Sequence, residues 1–80
     1  MRKKEQDLQR GTAAKSVLEN EIYKEAYSEV KSKLINLLIN TEYEEGDERD
    51  NYYMIIKSLE LVQHYMESVL TTGKFAEIEN

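Results

Sequence analysis

The most regular pattern in the chain runs from Tyr52 to Gly73. Tyr52, Ile55, Leu59, Val62, Met66 and Val69 recur at steps of three and four residues, which lines one side of a helix. Asp47 is placed to cap its start, and Asp50 adds negative charge to the first turns. Gly73 stands just past the last apolar residue, where helices often end on a positive φ. A second row, Ala14, Leu18, Ile22, Ala26, Val30, Leu34 and Leu38, repeats every fourth residue, with Val17, Tyr23, Tyr27, Leu37 and Ile39 beside it. This row predicts a first helix from about Ala13 to about Asn40, capped by Thr12 and ~39 Å long at 1.5 Å per residue. Lys15, Glu19, Lys24, Glu25, Lys31, Ser32 and Asn36 fall on the side away from the core.

Between the two patterns, Thr41 to Gly46 is a short polar connection of a length common between antiparallel neighbours. Tyr43 is its one residue able to fold back on the hydrophobic seam. The expected fold is all-α: an antiparallel helical hairpin of two long helices over residues 13–73. Residues 1–12 form a polar, basic N-terminal arm, mobile or a frayed helical extension. Residues 74–80 form a C-terminal tail in which Phe75 and Ile78 close over the base of the hairpin.

Both apolar stripes are wider than one partner helix covers. Ile56 and Leu70 broaden the second stripe, Met54, Leu61 and Tyr65 lie well away from it, and Leu37, Leu38 and Ile39 broaden the first. A two-helix hairpin of this length rarely holds enough core to stand alone. Self-association into a helical bundle or ring follows, with Leu38, Ile39, Met54, Leu61 and Tyr65 as the oligomer interface. The competing expectation is a monomer whose arm and tail cover the extra surface.

Composition narrows the function classes. Eighty residues without Cys make one thin-cored domain with no disulfide or thiolate metal site. No apolar run approaches the ~20 residues of a membrane span, and no apolar segment follows Arg2, Lys3 and Lys4 as in a secretory signal. The expectation is a cytoplasmic protein, in the host cell if viral. The net charge of −5 is uneven: residues 1–10 carry +2 and residues 41–50 carry −5. That balance argues against a broad phosphate-binding face and leaves Arg2, Lys3, Lys4 and Arg10 to supply any weak contact with DNA.

No catalytic constellation stands out. His64, the only histidine, has Glu60 and Glu67 a turn away on either side. The spacing is Glu-x-x-x-His in a single copy facing away from the core, unlike the inward Glu-x-x-His of di-iron bundles, so a solvated helix face is the reading. Glu21, Glu25 and Glu29 form an acidic ladder without a facing base. No Gly-rich phosphate loop exists, and nucleophilic catalysis has almost nothing to use. The chain is therefore read as a non-enzyme with no cofactor, metal or small-molecule substrate. The acidic run Glu42, Glu44, Glu45, Asp47, Glu48 and Asp50 lacks the EF-hand order. It complements a helix start, or it imitates nucleic-acid phosphate before a basic groove. Among the tyrosines, Tyr23, Tyr27 and Tyr52 belong to the core edge, and Tyr53 and Tyr65 to a partner face.

Several stretches carry a family likeness: Ala14-Lys15-Ser16-Val17-Leu18-Glu19-Asn20-Glu21, Glu25-Ala26-Tyr27 with the helix through Leu34, and Asp47-Glu48-Arg49-Asp50. His64-Tyr65-Met66-Glu67-Ser68-Val69 and Thr72-Gly73-Lys74 complete it. Over residues 13–75 the chain resembles short helical-hairpin proteins of tailed phages, encoded near packaging and portal genes. The resemblance implies an oligomeric phage protein in capsid or DNA-packaging biology, with a role like that of a terminase small subunit, and it carries over no catalytic residues. The expected function is thus a non-enzymatic, self-associating helical interaction protein serving phage assembly or DNA packaging, with itself and a packaging protein as partners. The alternative is an acidic inhibitor or adaptor that occupies a basic groove of a partner.

Overall fold

The computed structural model describes residues 2–78, without the side chain of Arg2. The described residues form three helices and no strand: α1 Arg2–Leu18, α2 Glu21–Ile39 and α3 Gly46–Ile78. The all-α class follows the periodicity, but the first limb is two helices where one was expected. Asn20 divides them. Its backbone is extended at φ −67° and ψ 128°, and its side-chain oxygen accepts from Tyr23 N at 2.9 Å. An Asn that bonds the backbone in an extended conformation favours restarting a helix over continuing one. Just before it, Glu19 N and Asn20 N donate to Lys15 O and Val17 O at 2.9 and 3.1 Å and close α1.

α1 and α2 follow one another along α3 and run against its direction. Gly11 meets Gly73, Tyr23 meets Gln63, and Lys31 meets Glu60, so positions climb on the first limb as they fall on the second. The result is a ribbon of 56 × 23 × 15 Å, two helices wide and one helix thick. On α3 the covered positions include Tyr52, Ile56, Leu59, Gln63, Met66, Leu70 and Gly73, alternating steps of four and three as in a coiled-coil seam. They face Lys4, Asp7, Gly11, Ala14 and Leu18 on α1, and Tyr23, Tyr27, Lys31, Leu34 and Leu38 on α2.

This seam is displaced from the predicted stripes. Ile55 and Val62, expected in it, are exposed, and so are Ile22, Ala26 and Val30. The seam instead admits polar residues that satisfy one another. Tyr23 Oη donates to Gln63 Oε1 at 2.5 Å, and Gln63 Nε2 donates to Glu67 Oε2 at 3.3 Å. Lys31, expected on the outer side, donates from Nζ to Glu60 Oε2 at 3.1 Å. Paired in this way, polar groups cost little in a half-covered setting.

The ends differ in part from expectation. From Arg2 on, the predicted arm is continuous with α1, and its Gly11 packs on α3 against Gly73. Thr12, expected to cap, lies inside α1 and donates to Leu8 O at 3.0 Å. Gly73 has an ordinary φ, and α3 runs past it to Ile78. Phe75 and Ile78 are exposed, and Ala76 fills the base in their place. At the turn, Arg49 N bonds Glu45 O at 3.1 Å, so α3 starts one residue before Asp47, which joins Glu48 in the first turn. Tyr43 does not fold back; it is 89% exposed. Met1 of the predicted arm and residues 79–80 of the predicted tail lie outside the described residues.

Candidate interaction face

The seam leaves very little buried. Among the described residues only Ala14, Ile56 and Ala76 are buried apolar side chains, against fifteen large apolar or aromatic ones that remain more than a third exposed. That imbalance makes the distribution of the exposed set the deciding question.

The helical spacing answers it. A residue just before a seam position turns to one side of the seam, and a residue just after turns to the other. Because the limbs are antiparallel, the "before" residues of both limbs share one broad side of the ribbon. On α2 these are Ile22, Ala26, Val30 and Leu37, with Lys33 among them; on α3 they are Ile55, Val62, Tyr65 and Val69, with Asn51, Ser58 and Thr72. Met54 and Leu61, each two residues from the seam in either direction, point away from it along the outer edge. On α1, Ala13 and Val17 extend the apolar side. A shallow groove there is lined jointly by Ala13 and Val17 of α1 and by Tyr65, Met66 and Val69 of α3. Arg10 Nη2 donates to Tyr65 Oη at 3.2 Å along its rim.

The "after" residues make a different surface. They include Lys24, Ser28 and Ser32 on α2 and Tyr53, Lys57, Glu60, His64 and Glu67 on α3. Glu60 takes ion pairs from Lys31 at 3.1 Å and Lys57 at 3.3 Å. Lys31 and Lys57 also stand 5.6 Å from the ring centres of Tyr27 and Tyr53. The hydrogen bond from Lys31, then that from Lys57, pulls the Glu60 carboxyl below its ordinary value, while the same bond to Glu60 raises the Lys31 ammonium. Burial first, then the neighbouring Tyr27 and Glu67, raises the Tyr23 hydroxyl.

The five positions expected to form an oligomer interface therefore separate. Tyr65 lies on the apolar side, whereas Met54 and Leu61 point away from the seam at the outer edge of α3; the three are about two-thirds exposed, at 63%, 65% and 67%. Leu38 is half-covered in the seam, and Ile39, one residue further, turns to the opposite side next to Ile35. Sequence reasoning missed Ile22, Val30, Ile55 and Val62 as members of the exposed side, having assigned them to the core. The signal that would have found Ile55 and Val62 is their i, i+7 recurrence one residue before the seam positions Ile56 and Gln63.

Charge is divided along the ribbon's length. Lys3 is exposed, Lys4 half-covered, and Arg10 engaged with Tyr65, all toward the end where α1 begins and α3 finishes; the Arg2 side chain lies outside what the structure describes. Glu42, Glu44, Glu45, Asp47, Glu48 and Asp50 surround the opposite tip and are all exposed. Arg49 Nη1 donates to Glu42 O at 3.1 Å and leaves the acids mostly unneutralised. Repulsion from Glu45 raises the Glu48 carboxyl above its ordinary value.

His64 is exposed, Glu60 is occupied by two lysines, and Glu67 accepts from Gln63. Among the described residues no group of three His, Asp or Glu side chains is arranged to hold a metal ion. Among them, too, no helix is long and apolar enough to cross a membrane.

No protein-family model, no curated protein and no solved structure matches this chain.

Proposed function

We propose that this is a non-enzymatic helical interaction protein whose working surface is the apolar side carrying Ile55, Val62 and Tyr65, and that it self-associates through that side. One observation carries the reading: a ribbon one helix thick holds, among the described residues, three buried apolar side chains and leaves Ile22, Val30, Leu37, Ile55, Val62 and Tyr65 exposed on one side. A patch of that kind is the usual mark of a protein contact. So little core is also a weak basis for an isolated chain of this size. A place in phage assembly or DNA packaging rests on the sequence resemblance alone. Sedimentation at micromolar concentration tests the reading. A species larger than the 9.4 kDa monomer supports it, and a monomer at every concentration rejects it.

The acidic tip motivates a second reading, an inhibitor or adaptor seated in a basic groove. The self-repulsion of Glu45 and Glu48, and the exposure of Tyr43 between them and α2, favour it. Replacing Glu44, Glu45 and Glu48 with Gln would then abolish capture of a basic partner with helicity unchanged; intact capture rejects it.

A further inference from the structure

We infer that the second copy docks on the apolar side antiparallel to the first, the acidic tip of each ribbon lying over the basic end of the other. The inference rests on the self-association proposed above and adds the orientation.

Two features point to it. The broad side measures 56 × 23 Å, which exceeds the about 800 Å² per partner of a standard interface, so one copy covers the side of another without a further component. The charges then choose between the two ways of laying one ribbon on another. Residues 41–50 carry −5 and residues 1–10 carry +2, at opposite ends of the long axis. A parallel pair stacks acid on acid at a tip where Glu45 and Glu48 already repel. An antiparallel pair places Lys3 and Lys4 of each copy near the acids of the other and relieves that repulsion. Like charges facing each other oppose a register, and opposite charges favour one. The two-fold axis then passes near Val62, close to the middle of α3, and each copy buries this residue against its own counterpart, as an isologous contact requires.

The chain has no Cys, so single introduced thiols report positions without background. Tyr43→Cys labels the tip and Gln9→Cys, on the outer edge of α1, the basic end; both sites are exposed and uncharged. Spin labels on Tyr43→Cys in the assembled protein should lie about 50 Å apart, the length of a 33-residue helix. A mixture of the two singly labelled proteins should give a tip-to-base distance of ~20 Å or less, about two interhelical spacings. Association should weaken as salt rises from 50 mM to 500 mM. An assembly with close tip-to-tip labels, or with tip and base labels far apart, overturns the orientation and leaves self-association standing. A monomer at every concentration overturns both.

Discussion

Gly11 and Gly73 touch backbone to backbone. A Cβ on Gly11 would stand 2.9 Å from Gly73 Cα, and a Cβ on Gly73 would stand 2.8 Å from Gly11 Cα and 3.0 Å from Asp7 O. Neither glycine has a positive φ, so both serve the close approach of α1 to α3 and not a turn. Each lies in a helix interior, where Ala would be favoured by roughly 0.5–1 kcal/mol if space allowed. Here the obstacle is backbone, which cannot rotate away. Gly11→Ala and Gly73→Ala should each destabilise the protein by about 1–3 kcal/mol, the ordinary cost of overpacking. Gly46→Ala meets only the end of the Arg49 side chain at 3.5 Å and should be neutral or slightly stabilising. Thermal melting of the three variants checks the contrast.

Asn20 sets the joint between α1 and α2. Its bond to Tyr23 N at 2.9 Å satisfies one of the free donors at the start of α2, and Asn20→Ala should cost about 1 kcal/mol. The fall should show in the melting temperature. Asn20→Ser, which keeps an acceptor, should recover most of it.

The sequence foretold the helical class and the polar turn after Ile39 because both depend on local spacing and composition. The seam was harder to see because its decisive members are not the most apolar ones. Gln63, Tyr23 and Lys31 enter it through hydrogen bonds to partners 40 or 29 residues away. Gly11 enters by being small, so an arm with almost no hydrophobic content still packs. Neither pairing has a signature within a single helix. Asn20 did have one, since Asn directly before an apolar-periodic run is a cap signal, but the unbroken i+4 row across it pointed to one continuous helix.

Acid should act on two groups in opposite senses. The Glu60 carboxyl is held below its ordinary 4.5 by Lys31 and Lys57, so its contribution is present above the unfolded value and is lost as pH falls through the lower folded one. Glu48 is shifted up by Glu45, so its ionised form costs stability and protonation through its raised folded value recovers it. Glu60→Gln should therefore flatten the loss of stability on acidification, and Glu48→Gln should steepen it. Melting temperatures between pH 7 and pH 3 distinguish the two.

The sidedness of the ribbon makes the sharpest prediction, because Val62 and Ile39 are both more than half exposed, at 57% and 71%, yet turn to opposite sides. If apolar exposure alone drove association, a charge at either position would weaken it alike. If the side bearing Ile55, Val62 and Tyr65 is the contact, only Val62 lies within it. Burying a Val side chain is worth ~1.5–3 kcal/mol, and each 1.4 kcal/mol is tenfold in an equilibrium constant. Val62→Glu removes that gain and also buries a carboxylate, so it should weaken association at least tenfold, while Ile39→Glu should leave it within about twofold. Both sites face solvent in the single chain, so helicity by circular dichroism should persist in each variant, apart from any loss that follows dissociation. Sedimentation equilibrium decides between them, and equal weakening by the two substitutions would remove the apolar side as the contact.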